Sequence, residues 1–378
     1  MTARPLKILH VLRAPLGGLL RHVADLTRGQ AARGHSVGIV ADSRTGGAQG
    51  DAILNALMPH LALGVMRVAM SRQIGPSDFI AAIAVGRRIR AIDADVVHGH
   101  GAKGAAYARL AAPTHRAIRV YTPHGGSLHY EWSTPAGILY LTLEKLLNRR
   151  TDLFLFESEY AARLFRQKVG VPHGLACVVR NGLAPNDFAD AEHAADATDL
   201  LFIGELRSIK GIDVLLDAMA ELRRRGLLLT ATIVGSGPDL DDLRRHADAS
   251  GLAQAVRFAG AMPAREAFRL GKIAIIPSRA ESLPYVVLEY AAAGIPMIAT
   301  DVGGIAEVFG VQAGRLIPAG DAAALARAIG DAVNDPQTMR AQVATLRERV
   351  RAEFSVDAMV EAGLSAYAQA ISRKQAAQ

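Results

Sequence analysis

The sequence predicts an α/β protein built from two consecutive doubly wound domains. Three observations predict it. Short β-branched runs alternate with longer amphipathic segments, the pattern restarts near residue 198, and 378 residues exceed one ordinary domain but suit two.

The elements follow in order. Leu6–Leu12 reads as a strand, Gly18–Arg33 as a helix ended by Gly34-His35, and Ser36–Val40 as the second strand. Further strands are expected at Ala94–His98, Ile118–Thr122 and Asp152–Phe156. Residues 181–197 are rich in Ala, Asp and turn formers and read as a linker. Beyond them come a strand at Leu200–Ile203, a helix near Ile212–Arg225 and a strand at Leu228–Val234. A helix opens after Gly237-Pro238, and three short strands follow at Val256–Ala259, Lys272–Ile276 and Met297–Ala299. Tyr285–Ala293 reads as a buried apolar helix. The last forty residues read as helical without a strand, with Lys374–Gln378 frayed. Such sheets are mostly parallel and bind ligands at the carboxyl ends of their strands. Two of them facing each other would hold one ligand in the cleft between.

Composition narrows the function classes. Half the residues are apolar and about a fifth are charged, as in ordinary globular proteins. The single cysteine, Cys177, excludes an internal disulfide framework and a tetrahedral cysteine zinc site, and fits a reducing cytosol. Met1-Thr2-Ala3-Arg4-Pro5 runs straight into Leu6, so no secretory signal is expected, and no apolar run is long enough for a membrane span. The first 190 residues carry 23 Lys and Arg against 13 Asp and Glu, the remainder 20 against 23. A basic first half suits an anionic membrane surface or a phosphate-bearing acceptor, or serves solubility alone. No basic stretch is interleaved with aromatics, so no nucleic-acid partner is expected.

Four segments carry candidate chemistry. Arg13-Ala14-Pro15-Leu16-Gly17-Gly18 lies between the first strand and helix. Gly17 and Gly18 allow close backbone approach, and the helix start suits a phosphate, although glycine in such a turn also serves geometry alone. Gly204 to Gly211 follows a strand and places Arg207 and Lys210 three apart. Cations are mildly unfavourable at a helix start, so a clamp for a diphosphate leaving group explains them better than solvation does. The run Pro277 to Pro296 holds Glu281 in a loop and Glu289 more than a turn into a helix whose first residue is expected to be Pro284. Glu289 is the only charge between Pro284 and Thr300. A carboxylate there needs a partner, either vicinal hydroxyls such as a ribose or an arginine. Glu281 either reaches a sugar or phosphate or is simply exposed. His124, in Thr122-Pro123-His124-Gly125-Gly126, ends a strand of the first half and suits a polar contact to a sugar hydroxyl, or proton transfer. His98 and His100 have metal-like spacing but no nearby acidic or cysteine ligands, and read as loop residues, so no metal site is expected.

Together these segments resemble the GT-B fold glycosyltransferases, specifically the large retaining family 4. The resemblance spans almost the whole chain. It rests on Gly17-Gly18 with Arg21-His22-Val23, His124-Gly125, Ser158-Glu159, Asn181-Gly182, Gly204 to Gly211 and Val234-Gly235-Ser236-Gly237-Pro238. Phe258-Ala259-Gly260, the two glutamates with seven residues between them, and Gly303-Gly304-Ile305-Ala306-Glu307 complete it. It implies that Arg207 and Lys210 hold the donor diphosphate, Glu289 the nucleotide ribose and Glu281 the transferred sugar. Gly17 and Gly18 would approach the phosphates, His124 would touch the sugar from the first domain, and Gly260-Ala261-Met262 would lie near the base. The implied catalytic set is Glu281, His124, Arg207 and Lys210. The donor-binding set is Gly17, Gly18, Arg207, Lys210, Met262, Glu281, Leu283 and Glu289. The implied domains are 1–180 for the acceptor, a linker 181–197, 198–355 for the donor, and 356–378 crossing back to the first domain. No metal or other cofactor is implied. The donor would be a UDP- or GDP-linked sugar and the acceptor a sugar or lipid-linked sugar, in a cytoplasmic protein peripheral to the inner face of the membrane. Two departures stand out. Ser282-Leu283-Pro284 replaces the frequent Gly-Phe-Gly after the first glutamate, and Leu183-Ala184 replaces the usual aliphatic-Asp pair after Asn181-Gly182.

The rival readings are a sugar-nucleotide epimerase on the same fold and a binding protein without turnover. The first would convert a nucleotide sugar without an acceptor. The second would have no reason to keep Arg207 and Lys210 beside the two glutamates.

Overall fold

The computed structural model describes residues 4–112 and 116–377. Met1–Ala3 and Gln378, to which the signal and tail readings extend, lie outside the described residues. The chain divides into two compact units. One comprises Met1–Gly182 with Val356–Gln378, the other Leu183–Ser355.

The first unit is built on seven parallel strands: β1 (Lys7–Leu12), β2 (Ser36–Asp42), β3 (Val65–Val68), β4 (Val96–His100), β5 (Ile118–Thr122), β6 (Leu153–Phe156) and β7 (Leu175–Val178). Their spatial order is β3-β2-β1-β4-β5-β6-β7, so the order reverses between β1 and β4. Helices cover both faces, which is why the central strands are apolar runs rather than alternating ones. Side chains still alternate between faces. Ile8, Val96, Val120 and Leu153 pack against Met359, Val360, Tyr367 and Ala370 of the Val356–Ala376 helix. Leu9, Val11, Val40 and Val97 pack against Val85 and Ile89 of the Ser77–Ile92 helix and Tyr107 of the Gly101–Ala111 helix.

Three expectations are corrected here. The strand expected at Ala94–His98 lies two residues later, so His98 and His100 are strand residues, not loop residues. The four-residue strands β3 and β7, which the sequence reading missed, are the two edges of the sheet and are only half-buried, so neither writes a clear apolar run. The tail is not frayed at Lys374. That residue donates to the Ala117 carbonyl at 2.7 Å and pairs with Asp152 at 3.1 Å, and the helix continues to Ala376. Burial works to raise the Asp152 carboxyl, but Arg119 and Lys374 hold it below its usual range.

The second unit carries five parallel strands: β8 (Thr198–Ile203), β9 (Ala231–Val234), β10 (Val256–Gly260), β11 (Gly271–Ile276) and β12 (Met297–Ala299). Their order is β10-β9-β8-β11-β12, reversing between β8 and β11. Val287, Leu288, Tyr290 and Ala291 of the Tyr285–Ala292 helix pack with Phe268, Leu346 and Phe354 on one face of this sheet. Pro284 stands one position ahead of that helix, in extended conformation (φ −72°, ψ 126°), rather than as its first residue. In the 181–197 stretch, Leu183 bridges to Ser355, and Phe188 and Ala191 pack on the core of this second unit.

Candidate functional site

In doubly wound sheets the loops diverge where the strand order reverses and open a crevice there. Each unit places chemically active side chains at its reversal.

In the second unit the loops after β8 and β11 meet. Gly211 (φ +67°) makes this contact, since a Cβ there would lie 2.0 Å from the Pro277 carbonyl oxygen. Arg279 ties the two loops. Its backbone N–H donates to Ile209 O at 2.8 Å, and its guanidinium donates to Ser208 O at 2.6 Å and to both carboxylate oxygens of Asp213. The hydrogen bonds from Arg279 hold the Asp213 carboxyl below its usual range.

The outcome is a close pair. Lys210 Nζ donates to Glu281 Oε1 at 2.6 Å, and the same oxygen accepts from Ser278 Oγ at 2.7 Å. Glu281 is only 8% exposed, so the alternative of plain exposure is corrected. A third loop, after β12, closes on this pair. Gly303 (φ +64°) lies so close that a Cβ would stand 2.3 Å from Glu281 O, and Gly304 N–H donates to Ser282 O at 2.5 Å. A fourth, after β9, accepts from Leu206 N–H through Ser236 O at 3.0 Å. In the second unit, the glycines at Gly211, Gly235 and Gly303 are thus places where one loop's backbone rests on the next.

The other expected donor residues are placed as follows. Arg207 and Lys210 do not open an α-helix. Arg207 caps, and Lys210 ends, the 3₁₀ turn Ser208–Lys210 ahead of the Ile212–Arg224 helix. Arg207 is partly exposed and lies 3.7 Å from Glu205. Glu289 sits in the second turn of the Tyr285–Ala292 helix, half-buried. Its charge adds to the burial that raises the neighbouring Tyr290 phenol. Leu283 is buried in the core, and Met262, just after β10, is half-buried against the same core. Gly17 and Gly18 open the Gly17–Ala32 helix of the first unit, and the space beside Gly17 is open.

In the first unit the reversal between β1 and β4 gathers five histidines. His10 of β1 stands opposite His98 of β4, and His100 lies two residues further on the same face. His22 comes from the Gly17–Ala32 helix and His124 from the loop after β5. His10 Nδ1 is 2.9 Å from His100 Nε2, and His100 Nδ1 is 3.1 Å from His124 Nε2. His10 Nε2 meets Gln30 Oε1 at 2.9 Å, and His22 Nδ1 meets Asn181 Oδ1 at 2.9 Å. His98 bonds Tyr367 OH at 2.7 Å and Thr122 Oγ1 at 2.8 Å. Burial lowers all five: His10 to about 4, His124 to about 3, and His22, His98 and His100 well below 6.5. They are neutral at pH 7.

His124 is held in left-handed backbone conformation (φ +51°), which a non-glycine residue keeps only under tertiary constraint. The residues on either side of it are tied to the Pro135–Asn148 helix. Ser127 Oγ and Tyr121 OH both donate to Glu144, whose other oxygen pairs with the buried Arg109 at 2.9 Å.

From the sequence, no metal is expected at His98 and His100. The structure brings ring nitrogens of His10, His98 and His100, and of His22, His100 and His124, within 4.8 Å of one another. In the first group both nitrogens of every ring already have partners, so a cation would have to break that network. The second group shares the His100–His124 bond. Neither group includes a carboxylate or thiolate. The signal for this cluster was present in the sequence: two strands flanking a reversal both carry inward histidines.

The Glycosyltransferase Family 4 model matches residues 16–187, and the Glycosyl transferases group 1 model matches residues 197–335. A glycogen synthase of Mycobacterium tuberculosis is 27% identical over 381 aligned residues, covering 93% of this chain and 91% of that protein. A GDP-mannose-dependent alpha-(1-6)-phosphatidylinositol monomannoside mannosyltransferase of Mycolicibacterium smegmatis is 30% identical over 216 residues, covering 52% of this chain and 56% of that one. Among solved structures, a sucrose-phosphate synthase from Thermosynechococcus elongatus superposes with a TM-score of 0.81 at 21% identity, covering 98% of this chain and all of that one. HepE from Anabaena, in complex with UDP, superposes at 0.76 and 19% identity, covering 96% of this chain and all of that one.

Proposed function

The chain belongs to the family 4 glycosyltransferases of GT-B fold, which act on nucleotide sugars, and from that premise we propose that it transfers a sugar with retention from a UDP- or GDP-linked donor to an acceptor hydroxyl. The observation that carries the reading is the Lys210–Glu281 pair at 2.6 Å at the carboxyl ends of β8 and β11, with Arg207 three residues before Lys210 in the same loop. Arg207 and Lys210 hold the donor diphosphate, Glu289 the ribose hydroxyls, and Glu281 the transferred sugar. Met262 and the backbone at Leu283 line the nucleotide end, Gly17 and Gly18 approach the phosphates, and His124 meets a sugar hydroxyl.

The step balances without a resident metal. The bond from the anomeric carbon to the diphosphate oxygen breaks, and its electron pair leaves with the diphosphate. The acceptor oxygen bonds to that carbon from the same face and gives its proton to the departing phosphate. Arg207 and Lys210 meet the charge that grows on the leaving group, where fixed cations lower the barrier most. The test is product NMR with an α-linked donor. An α-linked product formed from it supports retention. A β-linked product, or a protein mass raised by one glycosyl unit, contradicts this mechanism.

The acceptor is a lipid-linked or oligosaccharide sugar at an anionic membrane surface. Support comes from the Pro135–Asn148 helix. Its outer face exposes Ile138, Leu139 and Leu146, with Lys145, Arg149 and Arg150 alongside and Trp132 just before. An apolar stripe edged by cations is what lies in a membrane interface. Among the described residues no helix is long and apolar enough to cross a membrane.

A further inference from the structure

The histidine cluster has a direction. Gln30 Oε1 can only accept, so the hydrogen on its 2.9 Å bond belongs to His10 Nε2. A neutral imidazole carries one N–H. His10 Nδ1 is therefore an acceptor, and the hydrogen toward it belongs to His100 Nε2. By the same rule His100 Nδ1 accepts from His124 Nε2. The line ends with His124 carrying its hydrogen inward and a lone pair on Nδ1. His124 alone of the five is not fully buried.

The orientation of the Gln30 amide decides the whole line. Its nitrogen is buried and makes no full hydrogen bond. It faces the Tyr367 hydroxyl: burial raises that phenol, and donation from Gln30 works against the rise. Tyr367 in turn is free to donate to His98 Nδ1, leaving His98 Nε2–H for Thr122. Gln30 is wholly buried, and its amide orientation is set by the two groups it faces, the His10 ring and the Tyr367 hydroxyl.

We propose that Gln30 is a positioning residue that, through His10 and His100, fixes the His124 imidazole as the Nε2–H tautomer, so that Nδ1 accepts a hydrogen bond from a substrate hydroxyl. Gln30 reaches His124 only through the two intervening rings. The tautomer claim stands on the cluster by itself. The substrate hydroxyl rests on the reading of His124 given above.

The test is imidazole ¹⁵N–¹H correlation NMR on the full chain labelled in histidine, with His124 assigned by His124→Asn. The expected result is the Nε2–H form for His10, His100 and His124. In Gln30→Met the anchor is gone and His124 becomes a tautomer mixture, while the other backbone shifts hold. In Gln30→Glu at pH 8 an acceptor oxygen returns and so does the Nε2–H form. Transfer by Gln30→Met should fall by about tenfold in kcat, as for one misdirected hydrogen bond, with recovery in Gln30→Glu. Nδ1–H on His124 in the parent, or an unchanged His124 in Gln30→Met, overturns the proposal. So does stoichiometric binding of added Co²⁺ with loss of the His22, His100 and His124 signals, which would assign three of these rings to a cation. A tautomer change without any kinetic change supports the line of rings and counts against the sugar contact.

Discussion

At the scale of single residues, the decisive feature is how little of the chemistry is left free. Glu281 is buried with one oxygen shared between Lys210 and Ser278, so the pair proposed to face the donor is pre-set, held in place before any ligand binds. The five histidines are pre-set in another sense, since burial keeps them neutral. That has a consequence for stability. Their folded pKa values lie below the unfolded value near 6.5, so between pH 6.5 and about 4 the unfolded chain binds more protons. Stability is full above pH 6.5 and falls as the pH drops through that window, by up to about 1.4 kcal/mol per pH unit for each such ring. Urea unfolding at pH 7.5, 6.5 and 5.5 checks this. A free energy that stays flat to pH 5.5 would contradict it.

At the scale of elements, the glycines of the site set the spacing between loops. Gly303→Ala puts a methyl against the Glu281 carbonyl and forces a side chain into left-handed backbone. It should lower stability by about 1–3 kcal/mol and transfer by more than tenfold, while the remote Gly226→Ala, which has open space, should spare transfer. Thermal unfolding and initial rates on the two variants test this, and equal rates would refute it. This is also the scale at which the sequence was most legible. The strands at Ile118–Thr122 and Met297–Ala299 and the Ile212–Arg224 helix stand where apolar periodicity and glycine stops put them. β4 was misplaced because His98-Gly99-His100-Gly101 looks like a turn. Gly99 is in fact a strand residue against which the Gly101–Ala111 helix packs, leaving no room for a Cβ beside Ala105. In the candidate site, Arg207, Lys210, Glu281 and Glu289 stand out in the sequence because charge is conspicuous beside strand ends and in an apolar helix, and the structure brings two of them, Lys210 and Glu281, into contact. Gln30 and His10 do not stand out, because nothing local marks a polar residue whose partners lie on another strand or helix.

At the scale of the molecule, the uneven charge and the exposed face of the Pro135–Asn148 helix belong to the same account. The basic excess lies in the first 190 residues, where Ile138, Leu139 and Leu146 stand exposed among cations. Co-sedimentation with phosphatidylglycerol vesicles at low salt should therefore be strong, weaken with added salt, and drop severalfold in a combined Ile138→Ser, Leu139→Ser and Leu146→Ser variant. Equal binding to neutral vesicles, or none at low salt, would contradict it. The central claim lies in the second unit, that the loops after β8 and β11 hold a nucleoside diphosphate. The most direct measurement is calorimetric titration of UDP and GDP into the parent chain, Glu289→Ala, and Arg207→Ala with Lys210→Ala. The account predicts binding of one of the two nucleotides to the parent, lost about tenfold or more in each variant while the fold persists. Folded parent protein that binds neither nucleotide, or variants that bind as well as the parent, would contradict it.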